Sequence, residues 1–362
     1  MRIGILTFPN SSSHGASLQM YALYQILRLL GHDPEIINYM SDNVIHQRIS
    51  THKKTNFKTH LKQLFASLFV KDSKALFQSF ENKLVKYPNK TITTSKELRE
   101  IASRYDRIIV GSDQVWNPTI TGNDTNMFLS FASDNSQKAA YAPSFGTTIL
   151  PKGFYDEVSK LLKDFQYLSA REKQGADLIK ELTGLDVPVV VDPTMLIKRE
   201  SWTELAGQTH FGYKKYVLLY TIKSSGTLQK YAEEFAKKHK LKLIKVGGRL
   251  REFINPFQHC VSGIGPVEFV KLVNDADYVF TNSFHGTAFS IIMHKNFYVE
   301  YSSDTNSRLE NIINTFQLED RVIHSGKVKN NTINFQRVDE ILASEREYAL
   351  SFLRSIERRV YE

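Results

Sequence analysis

The chain has 362 residues, a formal net charge of +9 and a pI near 9.3. That length suits two domains of ordinary size better than one, and a composition of 41% hydrophobic and 12% aromatic residues excludes a disordered chain. The basic balance points to acidic partners, phosphorylated metabolites or anionic lipid, and no nucleic-acid motif is present to make nucleic acid a partner.

Arg2–Phe8 (RIGILTF) reads as a short apolar strand of the kind buried in a parallel sheet. The opening has no long apolar signal-peptide core, and no apolar run approaches the roughly 18 residues of a membrane span. A cytoplasmic, soluble protein is therefore expected. Pro9–Gly15 is a turn, followed by a helix over Ala16–Leu30 with Leu18, Tyr21, Ala22 and Leu29 on one face, closed by Gly31. Glu35–Tyr39 is the next strand. His14, in the turn, either contacts a ligand or caps the helix. The glycine spacing of a dinucleotide fingerprint or P-loop is missing, so no nucleotide is expected here.

From Ser41 to Lys90 a stretch rich in Lys and His interrupts the alternation. Phe57, Leu61, Leu64, Phe65 and Leu68 recur at helical spacing, with Lys58 and Lys62 between them. This helix either packs on its own domain or rests on an anionic bilayer.

Thr94 and Glu97 form a capping box for a helix through Ser103, and Arg107–Val110 is a strand. The turn GSDQVWNP follows. Asp113, Gln114, Trp116 and Asn117 make either a sugar-reading cluster, with the indole over sugar C–H groups, or an Asx-turn beside a packed Trp. Lys138–Ala142, Tyr167–Ala170 and Val187–Val191 are expected strands, and Phe154–Leu162 and Lys173–Leu182 helices. After Asp192-Pro193 the alternation restarts. Strands are expected at Tyr216–Tyr220, Leu241–Val246, Tyr278–Thr281 and Asn296–Glu300, with helices at Leu228–His239, Pro266–Asn274 and Thr287–His294. The only cysteine, Cys260, excludes an intramolecular disulfide, fits a reducing compartment and is read as a buried apolar residue. A last helix runs from about Val338 to Arg359.

Two alternating halves imply an α/β protein of two doubly wound domains. The first is 1–193 with an insertion at about 41–90, the second 194–340. The helix of 341–362 then packs back on the first. Ligands of such sheets bind beyond the carboxyl ends of the strands, where His14, Asp113, Arg171 and His285 all lie.

Asp277–Ser290 (DYVFTNSFHGTAFS) is a buried strand, a tight turn and a helix of small and apolar residues. Unpaired N–H groups and the dipole at that helix start favour an anion. Gly286 permits close backbone approach, and His285 sits where a ligand would lie; a plain helix cap is the alternative. His285 and His294 do not form a H-E-x-x-H pair and no Cys cluster exists, so a metal-independent reaction is expected.

The pieces HGASLQMYAL, GSDQVWNP, AYAPSFG, LSAREKQGADLI, VVVDPTMLI, Asp277–Ser290 and TNSRLENII, in this order, resemble the polysaccharide pyruvyl transferases. They cover most of the chain outside about 41–90 and the last helix. The resemblance implies a GT-B-like fold, two Rossmann-like domains facing a central cleft, with the acceptor bound by the first and the donor by the second. It implies transfer of pyruvate from phosphoenolpyruvate onto sugar hydroxyls, often as a ketal bridging two of them, in the synthesis of a capsule or exopolysaccharide. Phosphoenolpyruvate is a co-substrate, and no cofactor is implied. Members carry an Arg in a Ser-x-Arg-Asp/Glu turn, a His in a Ser-x-His-Gly type of turn and a basic residue further on. Here these are Arg171, His285 and Arg308, which with Ser283 and Gly286 make the implied donor site. Many members read Arg-Leu-His-Gly where this chain has Ser283-Phe284-His285-Gly286, so one anion contact is missing or is replaced by Arg308 or Lys295.

That chemistry suits these residue types. A multiply charged donor needs cationic groups, and Arg binds carboxylate or phosphate bidentately. Protonating the enol methylene carbon needs a general acid, and the sugar hydroxyl needs a base. His285 is the acid or a phosphate contact. Asp113 is the base or an acceptor contact, with Glu172 and Asp192 as alternatives. His14, Asp113, Gln114, Trp116 and Asn117 form the implied acceptor site. The implied acceptor is a glycan, for example a galactose on a polyprenyl-diphosphate carrier, which with the basic surface suggests peripheral contact with the inner face of the membrane. Two rival readings share the fold: a glycosyltransferase using a nucleotide sugar, and a non-catalytic sugar-phosphate binding protein.

Overall fold

Runs such as RIGIL, RIIV and YVLLY are apolar on both faces, and a strand of that kind is stable only when helices cover both sides of its sheet. The computed structural model, which describes residues 1–41, 43–45, 73–86, 88, 90–247, 258–301, 306–323 and 331–357, has two such sheets. The basic stretch Phe57–Leu68 lies outside the described residues. Among those described, no helix is long and apolar enough to cross a membrane. The chain divides into two compact units, one made of Met1–Lys54, Glu81–Leu196 and Ala343–Glu362, the other of Thr55–Phe80 and Ile197–Leu342.

In the first unit β1 (Arg2–Leu6), β2 (Asp33–Ile36), β3 (Arg107–Val110), β4 (Lys138–Ala140) and β5 (Tyr167–Leu168) form a parallel sheet in the order β2-β1-β3-β4-β5. Ile5 pairs with Ile109 and Leu6 with Val110. Ser13 caps the helix His14–Leu29 by accepting from the Ala16 N–H, and Thr94 caps Ser95–Ala102 in the same way through Glu97. The expected strand Val187–Val191 is reduced to a bridge between Ala170 and Val189. Pro188 has no N–H to donate and Pro193 follows closely, so the ladder cannot extend.

Trp116 lies in this unit's core, not in a sugar site. It is 1% exposed and stacks on Phe128 with ring centroids 5.0 Å apart. Phe145 tilts against it at 5.1 Å, and its indole N–H donates to the Met127 carbonyl at 2.8 Å. Buried on both faces, the ring has no surface left for a sugar. The core explains why: an aromatic of this size contributes more in contact with three Phe rings than half-exposed in a turn.

In the second unit β6 (Tyr216–Tyr220), β7 (Lys242–Val246), β8 (Gln258–Val261), β9 (Tyr278–Thr281) and β10 (Asn296–Val299) form a parallel sheet in the order β10-β9-β6-β7-β8. Val217, Leu219, Phe280 and Tyr298 pack with Leu228 and Ala232 of the helix Gly226–Lys238. Strand β8, an edge strand reading QHCV, is one that periodicity did not reveal. Cys260 sits on it half-buried and not in the core as expected, because an edge strand of this sheet is only partly covered. Helices Arg199–Ala206 and Asn306–Thr315 were likewise not located by pattern, and the helix expected from Thr287 begins at Phe284.

Each sheet has a point where the strand order reverses: between β1 and β3 in the first, and between β6 and β9 in the second. Crevices outside the carboxyl ends of the strands at such points are where open α/β sheets bind ligands.

Replacing Trp116 with Ala should lower unfolding free energy by about 3–5 kcal/mol, and Phe at this position should recover much of that. Urea unfolding measures it. A loss below about 1 kcal/mol would place the ring outside the core.

Candidate active site

The turn after β3 is held in an unfavourable conformation. Asp113 has φ of 73°, a left-handed geometry that costs a non-glycine residue about 1–3 kcal/mol unless its surroundings enforce it. They do so here. The Ser144 N–H donates to the Asp113 carbonyl at 2.8 Å, and the Trp116 N–H to the Ser144 carbonyl at 3.2 Å. The Asp113 carboxylate is left partly open, at 15% exposure.

Arg171, in the turn after β5, is buried against that carboxylate and two others. Its Nη1 lies 3.1 Å from Asp192 Oδ2 and 3.8 Å from Asp113 Oδ1, and its Nε lies 3.5 Å from Glu172 Oε2. Ser112 donates to Asp192 Oδ2 at 2.8 Å, and Asp192 Oδ1 accepts from the Thr194 N–H and hydroxyl. Glu172 Oε1 accepts from the Ser144 hydroxyl at 2.6 Å. Burial by itself weakens the guanidinium's hold on its proton. Glu172, Asp192 and Asp113 outweigh it and raise the affinity above the ordinary Arg value. One cation among three carboxylates is formally negative. An anionic donor arriving here would be repelled, so the geometry favours Arg171 as the tie between turns over the donor contact that the resemblance implies.

Of the other residues of the expected acceptor set, Gln114 and Asn117 support the turn. Asn117 donates to Gln114 Oε1 at 2.8 Å and caps the single turn Pro118–Thr121 by accepting from the Thr119 N–H at 3.0 Å. His14 is the half-buried first residue of its helix. Sequence reasoning missed Glu81. It is 1% exposed, accepts from Ser17 Oγ at 2.9 Å and from the Asn10 N–H at 3.1 Å, and so pins the loop that follows β1. The signal was present: Glu81 follows Phe77 by four residues, which puts it on the buried face of Lys74–Leu84.

In the second unit the turn after β9 is built by close packing. The Ser283 hydroxyl accepts from the Gly286 N–H at 3.3 Å, and the Ser283 N–H donates to Thr281 Oγ1 at 3.0 Å. Asn282 bridges to the turn after β6, accepting from the Ile222 N–H and donating to the Lys223 carbonyl. A Cβ on Gly286 would lie 2.3 Å from Thr281 Oγ1, so the glycine serves helix-to-sheet packing. His285 is 8% exposed, with its ring edge to the Phe284 ring. Arg308, 6% exposed, lies in the first turn of Asn306–Thr315, and that helix packs against Phe284–Ile292. Two buried basic side chains therefore stand on adjoining helices that both start at the carboxyl edge of this sheet.

Lys295 cannot replace the missing Arg of the His285 turn. It lies past the far end of a nine-residue helix, about 13 Å from the turn at 1.5 Å per residue. There burial lowers its pKa, Asp275 and Asp277 oppose the effect, and Arg199 adds to it. Among the described residues, no group of three or more His, Cys, Asp or Glu could hold a metal ion.

The family model described as polysaccharide pyruvyl transferase matches residues 14–304. A search of curated proteins gives no match. Among solved structures, the UDP-GlcNAc 2-epimerase of Neisseria meningitidis superimposes with a TM-score of 0.52 at 13% identity, over 99% of this chain and 95% of its own. That of Methanocaldococcus jannaschii gives 0.52 at 14% identity, over 95% and 92%. A candidate UDP-N-acetylglucosamine 2-epimerase of Listeria monocytogenes gives 0.57 at 12%, over 98% and 96%. At these identities the likeness is one of fold, the GT-B fold.

Arg171→Met would leave three carboxylates without their cation. The expected cost is about 3–5 kcal/mol, the usual result of breaking a buried ion pair from one side. Denaturant unfolding at neutral pH tests this, and an unchanged midpoint would mean that Arg171 does not hold the turns.

Proposed function

This chain belongs to the polysaccharide pyruvyl transferase family, and from that premise we propose that it moves pyruvate from phosphoenolpyruvate onto the hydroxyls of a sugar. What supports the reading most is the pair of buried basic residues, His285 and Arg308, on helices that start at the carboxyl edge of the second sheet. A helix start with a guanidinium beside it suits a carboxylate or phosphate.

In the proposed reaction Arg308 binds the anionic donor. His285 gives a proton to the methylene carbon of the enol, which makes the neighbouring carbon oxocarbenium-like. A sugar hydroxyl attacks that carbon and loses its proton to a carboxylate, for which Asp113 is the candidate because it is partly open. The bond from that carbon to the bridging oxygen breaks, and phosphate leaves with the oxygen. A second hydroxyl then closes the ketal, its proton replacing the one that His285 gave. The acceptor is a glycan, and one held on a polyprenyl diphosphate would suit a basic protein of net charge +9.

Two variants separate the roles. Arg308→Ala should weaken phosphoenolpyruvate binding by roughly 1.5–3 kcal/mol, as for loss of a charged hydrogen bond. His285→Gln keeps a hydrogen-bond donor but cannot protonate carbon. It should retain most donor affinity while turnover falls by roughly 10²–10⁴. Calorimetry with phosphoenolpyruvate and phosphate release with a glycan panel measure the two effects. Unaltered affinity in the first variant, or near-parent turnover in the second, removes that residue from the role.

A further inference from the structure

A cavity of about 560 Å³ opens in the first unit, within the size range of roughly 300–1,000 Å³ for small-molecule sites. Tyr39, Ser41, Ser95, Thr121, Asp124 and Asn126 are in its wall. Tyr39 lies just beyond the carboxyl end of β2, Ser95 starts the helix that leads to β3, and Thr121 to Asn126 continue the turn that carries Asp113. The cavity is thus on the carboxyl edge of the sheet, the edge where such folds bind ligands. The supports of the Asp113 turn also support it, since the Thr121 hydroxyl donates to the carbonyl of the Asn117 cap at 3.0 Å.

The chemistry of the wall selects a ligand class. No Lys or Arg is among its described residues, so nothing there favours a phosphate or carboxylate. The Asp124 carboxylate is engaged: Oδ2 accepts from the Tyr39 hydroxyl at 2.6 Å, and Oδ1 accepts from the Asn126 N–H at 3.0 Å and its side-chain amide at 2.9 Å. A carboxylate only accepts, so it fixes the amide nitrogen of Asn126 towards itself. The amide oxygen is left buried, with no hydrogen-bond partner among the described residues. A wall of hydroxyls and amides, with no Lys or Arg among its described residues, suits a neutral ligand dense in hydroxyl groups.

The geometry points to this cavity as a binding subsite for a neutral sugar unit. Naming that sugar as part of the pyruvyl acceptor rests on the function proposed above, whereas the sugar binding does not.

The test uses the full-length protein with the methyl glycosides of galactose, glucose and N-acetylglucosamine, and with glucuronate as an anionic control. Calorimetry should show at least one neutral glycoside binding. Ser95→Tyr, which fills the cavity from its rim, should weaken it by about tenfold or more at unchanged melting temperature and unchanged phosphoenolpyruvate affinity. Thr121→Val, which removes one hydroxyl at nearly constant shape, should also weaken it. The subsite is overturned if no neutral glycoside binds, if Ser95→Tyr binds as tightly as the parent, or if glucuronate binds best. The two proposals fail separately. Sugar binding that the variants abolish, without pyruvyl transfer, keeps the subsite and removes the transfer reading. Transfer whose acceptor KM is unmoved in Ser95→Tyr does the reverse.

Discussion

Burying the Arg171 guanidinium is tolerable because three carboxylates lie between 3.1 and 3.8 Å of it, and removing the guanidinium would leave those carboxylates facing one another without their cation in a dry site. The geometry of the first unit's carboxyl edge follows from this contact. Asp192, on the segment after Val191, is tied through Ser112 to the end of β3. Glu172 holds Ser144, whose backbone receives Trp116 and keeps Asp113 in its left-handed conformation. From Asp113 the same turn runs through the Asn117 cap into the wall of the cavity. A change at Arg171 would reach Asp113 and the cavity together.

The second unit solves the same problem by size instead of charge. At its turn Gly286 lets the helix start sit against Thr281, and the hydroxyl of Ser283 and the amide of Asn282 satisfy the local backbone. The basic side chains on the two helix starts at this edge are His285 and Arg308, both buried. The two edges therefore differ in chemistry. The first offers hydroxyls, amides and carboxylates, which suit a polyol. The second offers basic groups and helix starts, which suit an anion.

Much of the fold could be read from the sequence, and the reasons are local. Doubly buried strands such as RIIV and YVFT announce themselves by unbroken apolar runs, and the Thr94–Glu97 box by its spacing. Strand β8 escaped because QHCV carries two polar residues in four and shows no alternation. The site was legible as a set of turns but not as a set of roles. Arg171, Asp113 and Asp192 stand far apart in the chain, so nothing local shows that the cation is already surrounded. Trp116 beside Asp113 suggests a sugar platform until its three Phe neighbours, remote in sequence except Phe128, are in view. Glu81 was hidden by charge: a carboxylate in a basic helix reads as solvated unless its place on the buried face is counted.

The central claim is that a pyruvyl group is transferred with protonation at carbon. The most direct measurement is mass spectrometry and NMR of a glycan incubated in deuterated water with the protein and phosphoenolpyruvate. The account predicts inorganic phosphate released in step with a pyruvate ketal on the glycan, its methyl group carrying a single solvent deuterium. A glycan that is unchanged, or that gains a group whose methyl carries no deuterium, would contradict it.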